Sequence, residues 1–452
     1  MGALLGAALL VLCCAAPAEA QHSLGEMRAA AGDVPFWQRG MSLVGLCAMV
    51  GIAWLMSSQR RRIPWRIIAW GIGLQILFGV FVLKTAAGLW LFSALNDVVV
   101  GLLEFTKEGT RFLFGPYLDE HLTFALHVLP IIIFLSSLMA VLYHLRVMQH
   151  AVRGIAWLMQ KTMGTSGSET LSAAANIFVG QTEAPLVVKP YVSSMTRSEL
   201  NAIMVGGFAT VAGSVLAAYV GMLRSTFPDI AGHLIAASVM SAPAALVIAK
   251  VMVPETEESN TAGQLSLSVE RPDVNVIEAA ARGASDGLKL ALNVAAMLLA
   301  FLAFVALLNY LLGVPALAYN EWVGQDVYEP LTMQRVLGFV FWPLAFLIGV
   351  SPEDCTEVGT LLGEKMVLNE FVAYLHLGEA LKAGPYIGHR SLVITTYALC
   401  GFANFSSIAI QIGGIGSIAP ERRSDLARLG LRAMIGGTLA ACMTATVAGM
   451  LI

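Results

Sequence analysis

Asn176-Ile177-Phe178-Val179-Gly180-Gln181-Thr182-Glu183-Ala184-Pro185 sets an amide, a hydroxyl and a carboxylate side by side within an apolar stretch. An ionisable group at membrane depth is costly unless it lines a cavity or finds a partner, so its presence reads as functional. Gly180 and Pro185 bracket the polar triplet and predict a bend or helix break there. The bland alternative is a short cytoplasmic loop between two spans. A second segment, residues 355–384, holds Gly363, Lys365 and then Asn369-Glu370-Phe371-Val372-Ala373-Tyr374, again with a carboxylate near its middle. Each segment precedes an apolar stretch with a polar, glycine-containing centre: Gly206-Gly-Phe-Ala-Thr-Val-Ala-Gly-Ser214 after the first, Gly401-Phe-Ala-Asn-Phe-Ser-Ser407 after the second. Carboxylate and broken centre lie about thirty residues apart both times, the paired interruption that marks a transporter's midplane site.

At the tip of a re-entrant hairpin, backbone groups come free and must be satisfied by ligand, ion or water. Gln181, Thr182, Glu183, Asn369, Glu370, Asn404, Ser406 and Ser407 would offer many hydrogen-bond donors and acceptors and two acids. Neither tip contains Arg or Lys; Lys189 and Lys365 flank them as anchors or structural partners. An anionic cargo would call for a guanidinium or ammonium, so the expected cargo is neutral or cationic and rich in hydroxyls and amides. Phe371, Phe402 and Phe405 could stack on a planar cargo, though aromatic residues in spans more often pack. Glu183 and Glu370 could instead carry protons. A monovalent cation needs oxygens from unwound backbone and neutral side chains, which Asn176, Thr210 and the carbonyls near Val179 and Val211 could supply.

Two rival classes are weaker. An intramembrane enzyme could use Glu183 and Glu370 as acid and base with His127, His233 or His376. Yet no HExxH or paired-Asp pattern occurs, and a lone His in a span is more often structural. A channel needs no paired acids on opposed hairpins.

The positioning elements follow from composition. Of 452 residues, 57% are hydrophobic and only 13% charged, against about a quarter charged in soluble domains. With a mean hydropathy of +0.74, the chain reads as an all-α polytopic membrane protein in the lipid bilayer. The net charge of −3, with no basic run beyond Arg60-Arg61-Arg62, gives no sign of nucleic acid as a partner. Cys47, Cys400 and Cys442 sit in apolar segments and read as packing residues. Residues 1–20 read as a signal peptide, with an apolar core from Leu4 to Cys14 and Ala18-Glu19-Ala20 as the cleavage site, which places the mature start outside.

Stretches long enough to span lie near 41–57, 64–83, 122–143, 201–224, 230–253, 286–313, 391–412 and 430–452. Residues 86–105 and 147–163 read as interfacial amphipathic helices. With 334–350 not crossing, Arg60–Arg62, Arg146, Arg153, Lys161, Arg271, Arg282, Arg422, Arg423, Arg428 and Arg432 all fall inside, and both termini outside. The chain then divides into a signal (1–20), an N-terminal scaffold (21–163), a first hairpin and broken helix (164–253), a mobile cytoplasmic linker with an interfacial segment (254–285), a scaffold span with an outer interfacial segment (286–354), and a second hairpin and broken helix (355–452). The first hairpin enters from inside and the second from outside. The expected fold is therefore about eight transmembrane helices plus two opposed re-entrant hairpins in an inverted repeat.

Gly180-Gln-Thr-Glu-Ala-Pro185, Asn369-Glu-Phe-Val-Ala-Tyr374 and Cys400-Gly-Phe-Ala-Asn-Phe-Ser-Ser-Ile408 closely resemble the signature segments of the concentrative nucleoside transporters, in their order, and the resemblance runs from about residue 41 onward. It implies a homotrimer in the plasma (inner) membrane that symports purine and pyrimidine nucleosides with sodium, or with protons as in some bacterial relatives, by an elevator-like movement. By the resemblance, Gln181, Thr182 and Glu183 contact the nucleobase directly or through water, Val215 and Phe402 wall it, and Glu370, Asn404 and Ser407 hold the ribose hydroxyls. Asn176, Val179, Thr210 and Val211 match the sodium-ligand positions. Thr210 stands where a serine is usual and keeps the hydroxyl, so sodium is the expected ion. Gly180 leaves the first tip open, as in members of broad or purine-tolerant specificity.

Overall fold

The computed structural model describes residues 36–115, 124–261, 273–323 and 328–452. The signal peptide expected over 1–20, Arg271 and the later part of the linker lie outside the described residues. Among the described residues, all regular structure is helical.

The N-terminal part runs through α1 (Phe36–Leu55), α2 (Trp65–Lys84), α3 (Ala86–Phe114), α4 (Phe124–His127), α5 (Leu129–His144) and α6 (Val147–Met163). The first repeat follows. Helix α7 (Gly167–Ala175) leads to an irregular tip and returns through a 3-10 turn (Ala184–Val188) and α8 (Lys189–Val192). Next come α9 (Arg197–Ala209) and α10 (Gly213–Leu223), two halves of one broken helix, and then α11 (Ile230–Met252). Helix α12 (Val276–Val323) is 48 residues long, about 70 Å at 1.5 Å per residue and so much longer than the ~30 Å hydrocarbon layer. Helix α13 (Met333–Leu347) has 15 residues, about 22 Å, and is too short to cross that layer alone. The second repeat is α14 (Cys355–Val367), α15 (Glu370–Ala383), α16 (His389–Leu399) and α17 (Phe405–Ile418), followed by α18 (Arg423–Leu451).

The expected break points are visible in the backbone. At Thr210-Val211-Ala212 and at Cys400–Asn404 the chain leaves the helical region and re-enters it. The stretch 391–412, one span by composition, is thus two short helices. The two breaks cross each other. Gly401 has φ +149, and a Cβ there would lie 2.7 Å from the Phe208 carbonyl oxygen, so only glycine allows this backbone approach.

Burial separates two layers. The windows in α9–α10, α11 and α18 are 94%, 89% and 83% buried, whereas those in α1, α2, α3, α5 and α12 lie between 22% and 33%. The first set is the core; the second presents leucine, phenylalanine and tryptophan outward, as lipid-facing helices do. Cys47 belongs to this outer layer and is exposed, unlike buried Cys400 and Cys442, so the packing role expected for it does not hold. Helices α5 and α12 meet through small residues. A Cβ on Gly283 would lie 2.6 Å from Ala140 Cβ, and one on Gly287 would lie 2.8 Å from Ile133 Cα. Close backbone approach is how helices associate where no hydrophobic effect drives them together.

Helix ends sort by contact into two sets. In one, Ser58 bonds Met252, Arg66 bonds Lys161 and Thr162, Arg422 bonds Ser193 and Met195, and Gly167 bonds Thr261. In the other, Arg39 bonds Ile452, Gln38 bonds Ser351, Gly388 bonds Asp354 and Arg224 bonds Glu104. These are the groupings that the charge pattern assigns to inside and outside. Helix α3 is long and apolar enough to span, but its contacts stay with the second set. Gly88 packs on Phe81, Phe92 meets His233 edge-on, and Glu104 pairs with Arg224. A crossing there would also carry Arg146, Arg153 and Lys161 outside. The linker is less passive than its composition suggests, because Ser259 and Thr261 bond Glu199, and Glu255 pairs with buried Lys250.

Candidate functional site

The tips of the two hairpins come from opposite contact sets and converge on the crossed breaks, around a cavity of about 920 Å³. Gln181, Thr182, Glu183, Val215, Asn369, Glu370, Phe402, Asn404, Ser406 and Ser407 all line it. So does Phe371, which is buried and packs edge-on to Tyr219 at 4.9 Å. Phe405 does not; it is half exposed on the outside of α17, which removes it as a stacking surface. The helix geometry explains this: Asn404 and Ser407, three apart, point one way, and Phe405 between them points another.

Glu370 is the first residue of α15, whose amino-terminal dipole favours a carboxylate. Its two oxygens accept from Tyr219 Oη (2.9 Å) and Asn404 Nδ2 (3.0 Å). Asn404 is in turn fixed as the N-cap of α17, its Oδ1 accepting from Ser407 N (2.9 Å) and Ser406 Oγ (2.7 Å). Asn369 caps α15 in the same way, accepting from Val372 N (2.9 Å). One polar chain thus links the second hairpin to the broken helices of both halves.

The first tip is fastened reciprocally. Gln181 donates to Ser407 Oγ (3.2 Å) and accepts from Gln411 Nε2 (3.0 Å), which also donates to the Met204 carbonyl (3.1 Å). Glu183 folds back to accept from Gly180 N (2.8 Å) and stands exposed on the cavity wall. Tyr219 and Gln411 are missing from the sequence-based site. Each lies four residues beyond an assigned one, Val215 or Ser407, and so on the same helix face, a spacing that could have found them.

Asn176, Val179, Thr210 and Val211 lie behind the first tip, all buried; of them only Val179 also touches the cavity. The Phe178 carbonyl accepts from Gly213 N (3.0 Å), which docks the tip onto the break. Thr210 Oγ1 donates to the Gly206 carbonyl (2.9 Å), and a Cβ on Gly206 would sit 3.1 Å from Asn176 Nδ2. Both candidate cation ligands therefore gather at Gly206. Asn176 is 1% exposed, yet neither atom of its amide has a hydrogen-bond partner. A buried amide left so is costly. A small cation would satisfy its oxygen, and the donor set of neutral oxygens suits a monovalent ion.

The cavity continues past Glu183 to Arg146, Lys189, Ser193, Arg282, Asp286 and Lys289. There the Arg282 guanidinium grips Asp273 through two bonds (2.7 and 2.9 Å) and holds its carboxyl below the usual range. Of the three histidines weighed for an enzyme, His233 is buried among Phe92, Phe227 and Tyr397, and His376 pairs with Glu364 (2.9 Å). His127 lies at the end of α4. None of the three lines the cavity.

A broken-helix core inside a lipid-facing scaffold, with polar tip residues converging on one large cavity, defines a multi-pass membrane transporter rather than an enzyme. Residues 44–117 and 233–449 match the patterns described as the N-terminus and C-terminus of a Na+ dependent nucleoside transporter, and 125–226 match a "Gate" pattern described as nucleoside recognition. An uncharacterized transporter of Haemophilus influenzae is 46% identical over 419 residues, covering 91% of this chain and 97% of that one. Sodium/nucleoside cotransporter 1 of the mouse is 44% identical over 425 residues, and this chain spans 63% of its length. A solved structure of CNTnw in an inward-facing substrate-bound state superposes with a TM-score of 0.82 at 42% identity, covering 91% of this chain and 97% of that one. A variant of CNTnw in an outward-facing state gives 0.85, with 92% and 98% covered. The chain belongs to the concentrative nucleoside transporter family and is a multi-pass protein of the plasma (inner) membrane.

Proposed function

We propose that this chain imports nucleosides together with sodium, and that the two hairpins are re-entrant elements which carry the site across the membrane in an elevator-like movement against the scaffold of α1–α6, α12 and α13. One arrangement supports the reading above all: a partnerless buried amide, Asn176, directly behind the polar tip residues that face the cavity. Sodium held by Asn176, Thr210 and the Val179 and Val211 carbonyls would fix the tip on the break. Gln181, Thr182 and Glu183 would then be set toward the base, with Val215 and Phe402 as its walls. Glu370, Asn404 and Ser407 would hold the ribose, since a carboxylate and amide already ordered on a helix N-terminus suit vicinal hydroxyls. Each ligand favours the same placement of the first tip, which couples them.

The cavity's opening toward Arg146 and Lys189 is an inward-facing arrangement in this reading. Purine and pyrimidine nucleosides are both the cargo in this reading, with the base met by the amide, hydroxyl and carboxylate of Gln181, Thr182 and Glu183. A homotrimer is the expected assembly, checked by mass photometry in detergent.

The experiment is uridine and adenosine uptake into proteoliposomes under an inward sodium gradient or an inward proton gradient. Sodium-driven uptake of both is expected. Proton-driven uptake would keep the cargo and overturn the roles given to Asn176 and Thr210. No uptake of either by folded protein would overturn the cargo.

A further inference from the structure

The two repeats solve one electrostatic problem in different ways. In each, the C-terminal end of a hairpin's first helix meets the C-terminal end of a broken helix's first half: α7 against α9, and α14 against α16. Helix C-termini carry partial negative charge and unpaired carbonyls, so two that converge call for a cation. At the α7–α9 junction no lysine or arginine among the described residues bonds the polar groups; the pole holds Asn176 with its unpartnered amide, and the Gly206 carbonyl bonded by Thr210.

At the α14–α16 junction three carbonyls are met by donors from within the chain. Lys365, in the last turn of α14, is 1% exposed, and its Nζ donates to the Ala398 carbonyl at 2.8 Å. The neighbouring carbonyls at the end of α16 are also taken, Thr396 by Tyr374 Oη (2.9 Å) and Tyr397 by Cys400 N (3.3 Å). Thr395 Oγ1, on the same helix, keeps no partner, but these three carbonyls are held by donors of the chain itself. Lys365 precedes Glu370 of the second tip closely in the chain, as Asn176 precedes Gln181 of the first.

We propose that the Lys365 ammonium is a built-in cation which takes, in the second repeat, the place that a free cation takes in the first, so that one sodium accompanies each nucleoside. This rests on the sodium reading above and adds to it the ion count and a positioning role for Lys365. The lysine touches no substrate; it fixes α14 on α16 and so sets Glu370.

The test measures sodium-22 and tritiated uridine fluxes in the same proteoliposomes. A ratio near one is expected for the wild type, and a ratio near two would overturn the proposal, because a second ion would then have a site of its own. Lys365→Met keeps the aliphatic stem and removes the charge, and uptake should fall at least about tenfold; wild-type uptake would overturn the proposal. Lys365→Ala should fall similarly and recover several-fold with ethylammonium but not with uncharged n-propanol. Equal recovery with both would mean that the side chain only fills space. The wild-type flux ratio decides the matter even where neither variant folds. Were wild-type uptake to need no sodium, the reading of Asn176 would fail, while ethylammonium recovery would still report on Lys365 alone.

Discussion

Glu370→Gln is the most informative single change, because both carboxylate oxygens have an assigned donor. Tyr219 Oη and Asn404 Nδ2 each need an acceptor, and a glutamine offers one oxygen and one NH2. The glutamine oxygen can keep Asn404, but an NH2 facing Tyr219 can only donate to its Oη, which leaves the tyrosine O–H without its acceptor. The loss is a charge-assisted hydrogen bond, about 1.5–3 kcal/mol, together with a buried donor left unsatisfied, about 1–3 kcal/mol. Part of that cost falls on the empty protein as well, so about 2–4 kcal/mol should appear in nucleoside binding, or roughly 30- to 1000-fold in Kd. Tyr219→Phe calibrates the figure. It removes one neutral donor and keeps the ring that stacks on Tyr374 at 4.4 Å, so roughly a two- to tenfold loss is expected. Equilibrium binding of uridine at saturating sodium, with uptake in parallel, gives both numbers. Binding by Glu370→Gln within about threefold of wild type would refute the assignment of the ribose to Glu370. So would a larger loss for Tyr219→Phe than for Glu370→Gln.

Three further outcomes follow from the same contacts. Thr210→Ala should raise the sodium concentration for half-maximal uptake about tenfold while leaving nucleoside affinity at saturating sodium near normal, as sodium titrations of uptake will show; the reverse order would contradict the ion site. Gln411→Ala frees Gln181 from its second anchor and should weaken nucleoside binding about three- to thirtyfold, consistent with loss of a buried amide hydrogen bond. Gly283→Val forces branched carbons against Ser136, Ser137 and Ala140, where even one Cβ is too close. It should lower the melting temperature in detergent by several degrees, by overpacking of about 1–3 kcal/mol, without altering the sodium dependence of whatever protein remains folded.

Much of the site is legible in the sequence because intramembrane polarity is conspicuous. Acids, amides and hydroxyls at 181–183, 369–370 and 404–407 stand out against 57% hydrophobic composition, and glycine at helix breaks is local chemistry. Tyr219 and Gln411 stay hidden because both reside in helices that read as ordinary apolar spans, and only packing shows that they complete the two tips. Phe405 reads as a candidate because it neighbours Asn404, but the turn of α17 sends it outward. Helix α3 shows the opposite case, with the composition of a span and contacts that stay with one set of helix ends.

The sequence by itself determined the class of the protein, its helices and breaks, and the polar set, since those depend on residue type and on spacing along one segment. The tertiary structure decided what meets what: Gln181 with Ser407 across 226 positions, Tyr219 with Glu370 across 151, and Lys365 with Ala398. Long-range pairing of this kind depends on how helices cross. Crossing is set by the fit of whole surfaces, such as Gly401 against Phe208, rather than by any residue's own preference.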